Sequence, residues 1–203
     1  MSLTLLAGCA SKSYDKGAAT ASALQSSADA VAQTTTGVTG VLGALNDLTF
    51  KSQGDLRKQY DAFVSASKTF NQSLANLDAN VATLNAKAEA YFNDWTNQTA
   101  LLQSADLRQR SLERKSEVSG KLAQVTASYD ALKKSIQPFT VDLRDIQTYL
   151  GTDLTVGGLA TVKDVVAKTK VDAVPLRDAI KQLQVSFSSL SAALSPVLPA
   201  AAK

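Results

Sequence analysis

The sequence predicts an all-α protein: an elongated antiparallel coiled coil, or up-down four-helix bundle, with a two-helix tip. Three observations predict it. Apolar residues recur at alternating steps of four and three along four separate stretches. Glycine and proline are few, at 10 and 4 of 203 residues, so long helices go largely unbroken. Aromatic residues make up only 6%, while Ala, Ser, Leu, Thr and Val dominate, a mixture that suits helices packed side by side better than a sheet core.

The first stretch is the weakest: Leu24, Ala28, Val31, Thr35, Val38, Leu42 and Leu45. Gly37, Gly40 and Gly43 fall within it. Each glycine costs about 1 kcal/mol against alanine in a helix, so local fraying is expected in preference to a close helix–helix approach. The second stretch is the strongest: Leu56, Tyr60, Phe63, Ser67, Phe70, Leu74, Leu77, Val81, Leu84, Ala88, Tyr91 and Trp95. Only Ser67 and Ala88 are weak members. A helix over 54–103 spans roughly 75 Å at 1.5 Å per residue. The third stretch runs through Val118, Leu122, Val125, Tyr129, Leu132, Ile136, Phe139, Leu143, Ile146 and Leu150, predicting a helix over 106–150. The fourth runs through Leu159, Val162, Val166, Thr169, Ala173, Leu176, Ile180, Leu183, Phe187, Leu190 and Leu194. The first and fourth helices are expected to be shorter than the middle two. Pro138 and Pro175 predict kinks.

Punctuation falls between the stretches. Asn46 to Gly54 reads as a loop, with Gly54 turning the chain and Asp55 capping the next helix. Ser104 or Asp106 caps the third helix; Gly151 suits a helix C-terminus and Thr155 an N-cap. The tail from Ser195, with Pro196 and Pro199, is expected to lack structure. Short loops make sequential helices antiparallel neighbours, and the same seams also allow pairing between subunits as a homo-oligomer. The organisation follows: a leader remnant at 1–8, a tether at 9–16, one helical body at 17–194 and a tail at 195–203.

Reaction chemistry is absent from the pattern. There is no histidine, the commonest general base and metal ligand, and the single cysteine allows neither an internal disulfide nor a thiolate zinc cage. No cofactor, metal or enzymatic activity is expected. A net charge of +3 is too mild for a nucleic-acid binder. Asp142 with Asp145, and Asp55 with Asp61, read as solvated helix surface rather than as catalytic pairs. Gly157-Gly158 reads as part of a hairpin connection, and Tyr91, Phe92 and Trp95 as core filling where the seam ends.

The thiol gives a location instead. Leu6-Ala7-Gly8-Cys9 looks like a bacterial lipobox, in which small residues leave room for the enzymes that acylate the cysteine sulfur and cut before it. Leu3, Leu5 and Leu6 suit the end of an apolar leader, but no positive region precedes them; a start assigned too late, or trimming close to the motif, is expected. Lipidation at Cys9 would hold the mature chain to a membrane, each buried lipid CH₂ contributing about 0.8 kcal/mol. Ala10 rather than Asp follows, which favours the outer membrane, facing the periplasm. Ala10 to Lys16 reads as a polar tether.

Arg108, Arg110, Arg114 and Lys115, with Lys121 beyond them, form a basic cluster just past the predicted turn. Guanidinium groups bind phosphate and carboxylate bidentately, so lipid headgroups, cell-wall carboxylates or an acidic envelope protein are candidate partners. The interleaved Asp106, Glu113 and Glu117 favour an ordinary solvated face, with Glu117 and Lys121 as a helix-surface pair.

Four stretches together resemble one family: Leu6-Ala7-Gly8-Cys9, Gly54-Asp55-Leu56-Arg57-Lys58-Gln59-Tyr60, Tyr91-Phe92-Asn93-Asp94-Trp95 and Ser104-Ala105-Asp106-Leu107-Arg108. In this order they are similar to the bacterial lipoproteins catalogued as domain of unknown function 2959, from Cys9 to about Leu190. The resemblance implies an envelope location and a helical, coiled-coil-like body, and supplies no catalytic residues. The expected role is a non-catalytic scaffold or protein-interaction module. The alternative is a bundle that holds an apolar or lipid-like ligand in a cavity lined by Phe63, Tyr91, Trp95 and Phe139.

Overall fold

Four amphipathic stretches become four helices because each buries one apolar stripe against its neighbours. The computed structural model describes residues 7–50 and 56–195, with side chains from Tyr14 onward. The helices are α1 (Ala7–Phe50), α2 (Leu56–Ala100), α3 (Ala105–Thr152) and α4 (Val156–Leu194), and no strand occurs among the described residues. The fold is an all-α helical bundle. The leader residues Leu3 to Leu6, the turn signals Gly54 and Asp55, and the tail prolines Pro196 and Pro199 lie outside the described residues, as does the side chain of Cys9.

The chain forms two compact units, each taking a segment from every helix. Among the described residues, the first contains 7–29, 78–126 and 185–195; the second contains 30–50, 56–77 and 127–184. In the second unit the pairing is antiparallel. Gly37 of α1 meets Phe70 of α2, while Thr34 lies 3.5 Å from the Ser73 carbonyl. Tyr60 of α2 donates to the Gln147 carbonyl of α3 at 2.9 Å, and the Phe70 and Phe139 rings meet edge to face at 5.5 Å. Lys168 of α4 reaches Asp142 of α3, and Lys170 of α4 reaches Asn46 of α1. In the first unit, Lys16 of α1 pairs with Asp94 of α2 at 2.8 Å, and Trp95 of α2 bonds Ser111 of α3.

The predicted seams of α2, α3 and α4 face inward. Phe63, Phe70, Leu77, Leu84, Leu132, Phe139, Ile146, Leu150, Leu176 and Leu183 are all fully buried. Burying each such side chain contributes about 1.5–3 kcal/mol. Pro138 and Pro175 sit inside α3 and α4 on exposed positions, where the missing backbone donor falls on the solvent side. Two caps match the sequence. The Leu107 amide donates to Ser104 Oγ at 3.3 Å, and the Gly158 amide donates to Thr155 Oγ1 at 3.0 Å. Gly158 is required at this turn, because a Cβ there would lie 2.1 Å from the Asp153 carbonyl oxygen.

Helix α1 departs from expectation in four ways. It is 44 residues long against 45 for α2, so it is not a short helix, and it runs through Asn46 to Phe50 because Leu48 extends its buried stripe. Ala10 to Lys16, read as a tether, fall within its bounds. Its stripe also has a different phase. Leu24, Val31, Val38 and Leu45 are buried as expected, but the alternate positions are Ser27, Thr34, Val41 and Leu48 rather than Ala28, Thr35 and Leu42. Val41 and Leu48 anchor this phase, and the hydroxyls on it can be buried because they satisfy themselves: Ser27 donates to the Ala23 carbonyl and Thr34 to the Ala30 carbonyl, one turn back. A hydroxyl bonded in this way packs like a small apolar group. Finally, the expected fraying at Gly37 is overturned. A Cβ at Gly37 would sit 3.1 Å from Phe70 Cα, so this glycine lets α1 and α2 approach closely, whereas Gly40 and Gly43 face open space.

Candidate functional site

The turn between α2 and α3 is built from polar contacts in the first unit. Trp95 donates its indole N–H to Ser111 Oγ at 2.9 Å, and Ser111 shares a 2.6 Å hydrogen bond with the buried Thr99 hydroxyl. The Tyr91 ring lies 5.4 Å from Trp95 and covers Gly17 of α1. Burial pushes the Tyr91 phenol above its ordinary range, and the positive charge of Arg114 opposes that shift. Sequence reasoning placed Tyr91 and Trp95 as seam-end filling; both rings are half-buried, and Trp95 also carries a hydrogen bond.

The basic cluster picked out from the sequence falls here, and its members are engaged within the chain. Arg108 donates to the Leu102 carbonyl at 2.7 Å, closing the turn. Arg110 pairs with Asp106 at 3.1 Å. Arg114 pairs with Glu117 and donates to the Ala193 carbonyl near the end of α4, and Lys115 donates to the Thr96 hydroxyl. Glu117 therefore meets Arg114 rather than Lys121. These cations fasten the turn and the neighbouring helix ends.

The second unit holds a polar clamp that the sequence reading missed. Asp142, expected on solvated surface, is buried, and its carboxylate accepts a 2.8 Å bond from Lys168 of α4. Lys168 also reaches Asp172 one turn along at 2.8 Å. The hydrogen bond to Asp142, then that to Asp172, holds the Lys168 ammonium above the usual lysine range. Asp142 sits beside the apolar position Leu143 and can be buried because a cation on the next helix covers it. Asp145 stays exposed, so the two carboxylates do not act as a pair.

Two grooves in the second unit separate α1 from α4. One, of about 600 Å³, is lined by Thr49 and Phe50 of α1 and by Val156, Leu159, Lys163, Val166 and Lys170 of α4, among others. The other, of about 400 Å³, lies between Thr35 and Val38 of α1 and the stretch Arg177 to Gln184 of α4. A third groove of about 860 Å³ lies between α1 and α2 and is floored by small residues such as Ala32, Gly37, Gly40, Ala62 and Ala66. The four aromatics proposed from sequence as one cavity are divided. Phe63 and Phe139 are fully buried in the second unit, and Tyr91 and Trp95 belong to the first.

Sequence reasoning also passed over Lys163, Lys170, Arg177 and Lys181, although the first three stand seven residues apart and their spacing was visible. Among the described residues, no group of three or more His, Cys, Asp or Glu side chains is placed to hold a metal ion, and no helix is long and apolar enough to cross a membrane.

Long helices, self-satisfied seams and clamps between helices define an all-α bundle whose described polar clusters serve packing. The family model described as protein of unknown function (DUF2959) matches residues 11–194, and the chain belongs to that family. No curated protein and no solved structure matches it.

Proposed function

We propose that this protein is a helical scaffold of the bacterial envelope, fastened to the outer membrane by lipid on Cys9 and working through contacts with other proteins. The observation that carries the reading is the lipobox-like Leu6-Ala7-Gly8-Cys9 at the head of a bundle whose seams are filled by their own side chains. Such a body offers surfaces for partners rather than an enclosed chamber for chemistry. The test is fractionation of cells producing the parent chain or Cys9→Ser. The parent is expected in the membrane fraction with an acylated Cys9 at its mature N-terminus, and the variant is expected to be folded and released. A variant that still partitions with membranes, or a parent whose Cys9 carries no lipid by mass spectrometry, overturns the anchor.

A second reading, a carrier of an apolar ligand, is favoured by the α1–α2 groove alone, with its volume of about 860 Å³ and small-residue floor. Native mass spectrometry of the purified chain tests it. A co-purifying lipid that leaves when Ala66 is replaced by Phe would favour the carrier over the scaffold.

A further inference from the structure

We infer that the two grooves between α1 and α4 in the second unit together form a docking site for an acidic amphipathic helix of another protein. The inference rests on the scaffold reading and names its partner class. Lys163, Lys170 and Arg177 follow one another at seven-residue intervals, with Lys181 a turn further on. Seven helical residues rise about 10.5 Å, so the three cations form a rail roughly 21 Å long. The rail flanks the buried stripe of Leu159, Val166, Ala173 and Ile180, in the position that in a coiled coil faces the charges of the neighbouring helix.

The groove walls of the neighbouring helix supply no such charges. The groove walls contributed by α1 are Thr35, Val38, Thr49 and Phe50. Between Gly17 and Phe50, α1 has no Lys or Arg, and its only carboxylates are Asp29 and Asp47. Asp178 is the single carboxylate among the residues lining the two grooves. Lys170 turns to neutral groups, donating to Asn46 at 3.3 Å and lying 4.5 Å over the Phe50 ring. Lys163, Arg177 and Lys181 make no ion pair among the described residues. The contrast with α3 is direct, since Arg108, Arg110, Arg114 and Lys115 are all engaged inside the chain.

Charge complementarity and shape together select the occupant. The floor between the cations is apolar, formed by the buried Val38, Leu159 and Val166, with the exposed Phe50 ring at its edge. A helix laid there in heptad register places a carboxylate opposite each cation and an apolar side chain into each recess. A flat anionic surface meets the cations but leaves the recesses empty. A second copy of this chain fits poorly, because only Asp106 and Glu113 among its carboxylates stand seven residues apart.

The test is fluorescence anisotropy of the full chain with a labelled four-heptad peptide carrying Glu at the flanking positions and Leu or Ala at the core ones. A scrambled peptide of the same composition and phosphatidylglycerol vesicles are the competing probes. The register peptide is expected to bind, more weakly as salt rises. Lys163→Glu/Lys170→Glu/Arg177→Glu is expected to weaken it by about tenfold or more, each exposed pair contributing modestly. Lys68→Glu/Lys87→Glu/Lys134→Glu, elsewhere on the surface, leaves it unchanged. The neutral variant Lys163→Gln/Lys170→Gln/Arg177→Gln, with a parental melting temperature, separates lost binding from lost folding. Equal binding of the scrambled peptide, undiminished binding by the groove variants, or a chain that ignores the peptide and binds the vesicles overturns the inference. These readouts do not involve Cys9, so either this inference or the membrane anchor can fail without the other.

Discussion

The two units fill the same four-helix cross-section by different means. Among the described residues, the fully buried Phe63, Phe70 and Phe139 and most of the fully buried Leu and Ile belong to the second unit, against Leu84 and Leu190 in the first. The second unit contains Phe63, Phe70 and Phe139 at its centre, with Leu and Ile on every side. The first unit buries fewer large groups, Leu24, Leu84, Phe187 and Leu190, beside small ones such as Thr20, Ser27 and Ala88, and adds polar fasteners: Lys16 to Asp94, Trp95 to Ser111, Arg114 to the Ala193 carbonyl. Apolar burial scales with the area removed from water, whereas an exchanged hydrogen bond contributes only about 0.5–1.5 kcal/mol net. The second unit therefore draws more on bulk, and the first leans further on hydrogen bonds and ion pairs at its surface.

The comparison can be broken most severely in the second unit. Phe139→Ala should cost about 3–5 kcal/mol in urea unfolding, because its fully buried ring meets Phe70 and leaves a cavity in a dense core. Trp95→Phe in the first unit should cost only about 1 kcal/mol, the net worth of the hydrogen bond to Ser111. Equal losses would show that both units depend on bulk.

Glycine substitutions sharpen the same contrast at smaller scale. Gly37→Ala should destabilise by about 1–2 kcal/mol, since the new methyl meets the Phe70 backbone, which cannot yield. Gly17→Ala meets only the Tyr91 ring at 3.2 Å, a half-buried side chain that can shift, and should be near neutral in thermal melts. Ser67→Ala should stabilise by about 1 kcal/mol. The Ser67 hydroxyl is buried in the second unit with no hydrogen-bond partner, unlike Ser27 and Thr34. A loss of stability instead would mean that the hydroxyl is satisfied in solution.

The smallest effect is alkaline. Lys168 in the second unit and Tyr91 in the first both hold their protons more tightly in the folded state, from ordinary values of 10.5 and 10.0. Their contributions are present below those values and are lost as pH rises through the raised folded ones. Melting temperatures should therefore fall above about pH 10, and Lys168→Met should remove part of that fall along with some stability at neutral pH. A variant whose alkaline decline matches the parent would assign the whole effect to other groups.

Much of this was legible without coordinates. The three-four rhythm of α2, α3 and α4 identified their buried faces almost residue by residue, and Ser104 and Thr155 announced their caps, because periodicity and capping are local properties of the chain. The stripe of α1 was read one position off at alternate turns. Hydropathy counts Ser27 and Thr34 as polar and Leu42 as apolar, and packing of Val41 and Leu48 against the neighbouring helices reverses that order, the backbone accepting the buried hydroxyls.

Sequence alone determined the helical class, the number of helices and most of what they bury, since each follows from the spacing of side chains along a 3.6-residue turn. Tertiary structure decided which polar groups became interior and which charges remained outside. Asp142 entered the interior because Lys168 came from another helix to cover it, and Lys163, Lys170 and Arg177 form no ion pair among the described residues because the α1 groove walls beside them carry no carboxylate. Whether a charge is answered depends on which helix lies next to it, and no spacing within one helix carries that information.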